Sequence, residues 1–177
     1  MWIWLVVSIA ALIVLVFLWG LRRLRRSSAE AQAAIAKVTP SDIPRLRDEC
    51  ERVILETLSE RLSLDRYEDS ARILSSRLDD LSLKKIFARD DFWWYFVLPV
   101  GAYVGELLKV HAGGEWKTSA SGGMEMTLPV QGGLATAYPF DKVLKQALSG
   151  DKGDLYAYFM SAVRLENVVA DISSAKT

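Results

Sequence analysis

One cysteine and one histidine leave little room for thiol or metal chemistry in this chain. Cys50 has no second thiol for an intramolecular disulfide, and Cys50 with His111 cannot complete a zinc ligand set. Net charge is missing too, because 22 Lys and Arg offset 22 Asp and Glu. Without a basic excess there is no overall attraction to a phosphate backbone, so no nucleic-acid partner is expected. The patterns G-x-x-x-x-G-K-[ST], G-x-G-x-x-G and H-E-x-x-H do not occur. The acidic pairs Asp79-Asp80 and Asp90-Asp91 have no third ligand at a metal-binding spacing, and read as a solvated helix end and a helix cap. Two near-motifs also fall short. Ser82 and Lys85 match S-x-x-K without an S-D-N element, and "GGEW" at 113–116 lacks the acidic pair of a diguanylate cyclase loop. The sequence therefore predicts no cofactor, no metal, no catalytic residue and no enzymatic activity.

What the chain does have is one long apolar run. "MWIWLVVSIAALIVLVFLWGL", residues 1–21, contains Ser8 as its sole polar side chain. At about 1.5 Å per residue it spans a ~30 Å hydrocarbon core as a helix. Trp2, Trp4 and Trp19 fall near its ends, where indole rings favour the headgroup boundary. Positive charge follows the run instead of preceding it, and no small-residue cleavage site is present, so the segment reads as a retained anchor and not a signal peptide. Arg22, Arg23, Arg25 and Arg26 abut its C-terminal end. The positive-inside rule then places the N-terminus outside and everything after the arginines in the cytoplasm of a bacterial inner membrane. The same arginines can touch anionic headgroups.

Four segments follow: the anchor at 1–21, a basic juxtamembrane segment and exposed linker at 22–41, a cytoplasmic domain at 42–172, and a disordered tail at 173–177. Within the domain, Ile43, Leu46, Cys50, Val53, Ile54 and Leu58 recur at helical steps. The seam does not continue as heptads, which excludes a long coiled coil. A second helix fits 64–81, with Tyr67, Ala71, Leu74, Leu78 and Leu81 inward. A third fits 92–111, apolar on nearly every side, with Pro99 bending it and Gly101 and Gly105 opening a groove for another helix. Its uninterrupted apolar part is short for a second span, and Asp90, Asp91, Glu106 and Lys109 make insertion unfavourable. Glycine pairs at 113–114, 122–123 and 132–133 then separate three short strands, with Pro129 expected at a strand end or edge. Two helices follow, at 140–150 and 154–172. The expected fold is α+β: after the transmembrane helix, a helical layer packed on a small three-stranded antiparallel sheet, with C-terminal helices.

The residues with chemical potential sit together in "YVGELLKVHAGGEWK", 103–117. Glu106 is an acid on an apolar helix, and such an acid has a partner or a raised pKa. The expected partner is Lys109 or a tyrosine hydroxyl. His111 falls in the last helical turn, where it complements the dipole and bonds a free carbonyl, with Gly113 in the left-handed position after it. Tyr103, Glu106, His111 and Trp116 are the candidate functional residues.

"GAYVGELLKVHAGGEW", followed by "YPFDKVLKQALSGDKGDLYAYF", resembles a group of uncharacterised bacterial domains. These share a Y-x-G-E helix, a G-G-x-W, a P-F-x-x-V segment and a final helix. The resemblance spans about 90–160 and makes Tyr103, Gly105, Glu106, Gly114, Trp116, Pro139 and Phe140 the signature positions. The N-terminal anchor departs from the group's pattern. The resemblance implies a bacterial cytoplasmic domain and no particular activity.

The functional expectation is a membrane-tethered protein-binding or scaffolding module whose partners are the lipid bilayer and another protein. Its expected contact surfaces are the sheet edge and the aromatics Phe92–Phe96, Tyr138 and Phe140. The alternatives are an immunity-type inhibitor that binds a toxin, or a small membrane-bound enzyme using Glu106 with His111 or Tyr103. A pocket shared by Glu106 and His111 would favour the enzyme.

Overall fold

The computed structural model describes residues 28–81, 96–120, 122–130, 133–149 and 154–174. The expected span at 1–21, the arginines at 22–26 and the aromatics at 92–95 lie outside them. None of the described helices is long and apolar enough to cross a membrane. The elements in chain order are α1 (28–35), α2 (Asp42–Leu58), α3 (Tyr67–Leu81), α4 (Leu98–His111), β1 (Glu115–Thr118), β2 (Met124–Val130), β3 (Gly133–Ala137), α5 (Pro139–Ser149) and α6 (Asp154–Ser174). The α+β class expected from the sequence is what forms.

α4 is the axis of the domain. Every residue from Leu98 to Leu108 is buried, because α2, α3, α5, α6 and β1 all pack against it. Pro99, expected to bend this helix, lies in its first turn, where its missing N–H has no intrahelical partner to lose. α2 buries Ile43, Leu46, Cys50 and Ile54 as its spacing predicts, and α3 buries Ala71, Leu74 and Leu78. Burial raises the Cys50 thiol pKa well above its usual range, which makes it a small core residue and not a nucleophile.

The strands form an antiparallel meander in the order β1-β2-β3. Met124, Met126 and Leu128 of β2 turn towards the helices, with β2 against α5 and α6 and β1 against α4. Pro129, expected at a strand end or an edge, stands one residue from the end of the central strand. It lies beyond Thr127, the last β2 residue paired with β1, so on that side no ladder bond needs its N–H.

Two expectations about exposure are corrected. The stretch expected as an exposed linker is packed: Ala31, Ala34, Ile35 and Val38 are all buried in the common core. The β1–β2 turn holds it there. Gly122 and Gly123 have φ of 90° and 79°, and a Cβ on Gly123 would come within 2.6 Å of the Ile35 carbonyl oxygen. Only glycine supplies both the backbone conformation and the clearance. Phe140 and Phe96, expected at a contact surface, are instead 1% and 7% exposed.

The groove left by Gly101 and Gly105 is filled, though only partly by a helix. Phe140, in the first turn of α5, brings its backbone and ring over Gly101, and the Trp116 indole lies on Gly105. A Cβ on Gly105 would meet the indole Cζ2 at 1.9 Å and Cη2 at 2.2 Å. Gly105→Ala is therefore expected to destabilise the fold by about 1–3 kcal/mol through overpacking. Urea unfolding followed by circular dichroism measures this, and an alanine variant within about 0.5 kcal/mol of the parent, the range of innocuous surface changes, would contradict the packing.

Candidate functional site

Glu106 and Trp116 come together because α4 ends in a tight reversal. Gly113 has φ 59°, a left-handed position after the helix. The N–H groups of Ala112 and Gly114 both donate to the Leu108 carbonyl, at 2.9 and 3.2 Å. Gly114 then lies against Met126 and Leu128, where a Cβ would come within 2.7 Å of the Met126 methyl. β1 is thus folded back along α4. Trp116, on the core face of β1, reaches the helix one turn above its own hairpin.

The Trp116 indole Nε1–H donates to Glu106 Oε1 at 2.8 Å. Lys109 Nζ lies 3.9 Å from the other carboxylate oxygen, at the outer limit of an ion pair and with its own side chain 55% exposed. The Lys109 pairing expected from the sequence is present, and the indole is a second, closer partner that the sequence did not indicate. Arg47 of α2 faces the same region. Its guanidinium pKa is raised chiefly by the adjacent Asp48 carboxylate, with a smaller push from Glu106. Glu106 therefore has a donor and cationic neighbours while remaining almost completely buried. The Trp116 ring also meets Phe140 with centroids 5.8 Å apart. One indole thus joins β1, α4 and α5.

Tyr103 and His111 do not join this group. Tyr103 points to the α2–α3 side, where its hydroxyl is sealed without a hydrogen bond. Burial pushes its pKa far above the ordinary tyrosine range. The Ser70 hydroxyl beside it offsets part of that rise but is committed elsewhere. It accepts from the Ser63 N–H at 2.9 Å and donates to the Ser63 carbonyl at 2.8 Å. His111 turns to the loop before α3, where its Nε2 bonds the Leu64 carbonyl and its ring packs on Tyr67 at 4.5 Å. The carbonyl that it bonds belongs to a neighbouring segment and not to its own helix end. Neither the cavity between α2 and α3 nor the small one beside Phe96 and Pro99 is lined by Glu106 or His111. No group of three or more His, Cys, Asp or Glu is placed to hold a metal ion among them either.

A buried polar hub that sequence reasoning passed over lies at Gln146. It is completely enclosed, donating to Asp79 Oδ1 at 2.7 Å and accepting from the Leu155 N–H at 2.6 Å. It thereby ties α3 and α6 to α5. The signal available in the sequence was a lone amide on the inward side of α5, between Val143 and Ala147.

The arrangement around Glu106 is built to satisfy an indole N–H. Glu106→Gln keeps an acceptor for Trp116 and should change stability by less than about 1 kcal/mol, whereas Glu106→Leu strands a partly buried donor and should cost about 1–3 kcal/mol. Denaturant midpoints of the two variants separate these outcomes. A Gln variant as unstable as the Leu variant would mean that the negative charge itself is what the site requires. No family model, curated protein or solved structure matches this chain, so its functional reading rests on its own geometry.

Proposed function

We propose that this chain is a membrane-tethered binding module that recruits a partner protein through the outer edge of β3. One observation carries this reading. β3, "GLATA", is an edge strand with no charged residue and no proline, the two devices that usually keep an edge from pairing. β1, the other edge, carries Glu115 and Lys117.

The register tells which backbone groups face outwards. Pro129 stands opposite Leu134, and proline cannot exchange both bonds of a hydrogen-bonded pair. That pair is therefore of the non-hydrogen-bonded kind, and so is Thr127 opposite Thr136, two positions on. The N–H and C=O groups of Leu134 and Thr136 thus point away from β2, free to pair with an added strand. Beside them Leu134 is 70% and Tyr138 47% exposed, an apolar grip for alternate side chains of an extended peptide. Phe140, expected on this surface, is withdrawn beneath α4 and plays no part in it.

The tether is read from the sequence: the apolar run at 1–21 with Trp2, Trp4 and Trp19, followed by Arg22, Arg23, Arg25 and Arg26. In this reading the domain faces the cytoplasm from a bacterial inner membrane, as the resemblance to bacterial cytoplasmic domains also implies. Among the described residues burial begins at Ala31, so at most residues 22–30 separate the run from the core. Fully extended they reach at most about 30 Å, which keeps the domain close to the bilayer and raises its effective concentration towards other membrane components. The enzyme reading has less support, since Glu106 serves Trp116 and His111 serves Leu64 on separate sides of α4.

Thr136→Pro removes one outward N–H and leaves the β2–β3 bonds in place; Leu134→Lys charges the edge. Affinity purification of the full chain from detergent-extracted membranes should recover a partner with the parent protein, and lose most of it with either variant. Full recovery of the same proteins with both variants would refute the edge, and recovery of the chain from the soluble fraction alone would refute the tether.

A further inference from the structure

One cavity is lined by neither the Glu106 cluster nor the β3 edge. It is an open groove of about 570 Å³ between the end of α2, the following loop and α3. Leu58 and Ile73 give it an apolar floor, and Arg61, Arg66, Arg72 and Arg77 line it. That volume falls within the range of small-ligand sites.

The state of these arginines sets the groove apart. On α2, Arg45, Arg47 and Arg52 each have a carboxylate within 3.7 Å. Arg72 has Tyr156, its guanidinium lying 5.4 Å from the ring centroid. Arg61, Arg66 and Arg77 have no ion pair and no side-chain hydrogen bond among the described residues. This is so although Glu60, Asp69 and Asp80 line the same groove. Among the described residues Glu60 and Asp80 form no ion pair, Asp69 feels Arg72 only at a distance, and the three arginines have no anion in contact. Local pairing has not used up either set.

A guanidinium presents several N–H donors in a fixed fork that matches phosphate oxygens, and charge-assisted bonds of this kind are among the strong ones. The acids, by contrast, are suited to accept from hydroxyl or amino groups. We propose that the groove binds an organic phosphate: a phosphorylated group held by Arg61, Arg66 and Arg77, on a body that offers hydroxyl or amino donors to Glu60, Asp69 and Asp80 and rests on Leu58 and Ile73. The same headgroup chemistry is available from a free phosphorylated metabolite or from an anionic phospholipid.

The test uses the full chain in detergent micelles and isothermal titration calorimetry. One arm titrates ADP, and the other adds phosphatidylinositol phosphate to the micelles. Saturable binding at one site per chain is expected in one arm, weakened at least about tenfold in the double variant Arg66→Gln/Arg77→Gln, as loss of charge-assisted bonds worth roughly 1.5–3 kcal/mol requires. Arg66 is exposed and Arg77 half-buried, and circular dichroism checks that the variant keeps its fold. Binding of ADP lost in the variant supports a free metabolite; binding of the lipid alone, lost in the variant, supports a headgroup. Absence of saturable binding in both arms, or binding that the double variant leaves unchanged, overturns the proposal.

Discussion

The packing of the Trp116 indole into the notch at Gly105, with its N–H held by Glu106, is the contact on which the rest of the domain depends. It is made between two segments only ten positions apart, yet it fixes the direction in which the chain leaves its most buried helix. Once the indole is seated, β1 must run back along α4, the meander must follow β1, and α5 must enter with Phe140 over Gly101. The carboxylate is buried because the indole covers it, and the indole is oriented because the carboxylate accepts its N–H hydrogen bond. A buried acid that looks like chemistry in the sequence is, in the fold, a positioning group for a large aromatic ring.

Around that axis the remaining polar groups in the interior serve assembly. Gln146 joins three helices, Ser70 closes the loop that starts α3, and His111 secures the Leu64 carbonyl. The Gln146–Asp79 and His111–Leu64 bonds join segments 67 and 47 positions apart, the others close local loops, and each polar atom would be costly to leave unpaired inside. Apart from the sealed Tyr103 and Tyr158 hydroxyls, what stays uncommitted among the described residues is on the outside: the β3 edge with its apolar neighbours, and the arginine-lined groove beside α3. These two surfaces, and not the interior, are where this domain has bonding capacity to offer another molecule.

Much of the framework was legible because it is written in local periodicity. The three- and four-residue spacing through Ile43, Leu46, Cys50 and Ile54 marks the buried face of α2, and the glycine pairs bracket the strands within a residue or two. What could not be read depends on partners far along the chain. Gly101 and Gly105 announce a groove, but nothing local says that an indole and a phenyl ring fill it. Ala31 and Ala34 carry too little apolar surface to signal burial, and they are interior only because two glycines let a distant turn approach. Phe140 reads as surface in the sequence because a single aromatic at a helix start has no periodic context. The charged side of α3 and the loop before it read like any solvated surface; the unpaired Arg61, Arg66 and Arg77 become visible only when distances are known.

The domain is thus a small α+β body organised by one ring-to-carboxylate contact, with its binding capacity displaced to an unprotected edge and a charged groove. The contact has a direct spectroscopic signature. In the nitrogen–proton correlation spectrum of the labelled chain, the Trp116 indole N–H should appear as a hydrogen-bonded resonance that exchanges slowly with solvent deuterium, and Glu106→Leu should shift it and speed its exchange. An indole proton that exchanges as fast as that of a solvent-exposed tryptophan, and is indifferent to the Glu106 substitution, would contradict the account at its base.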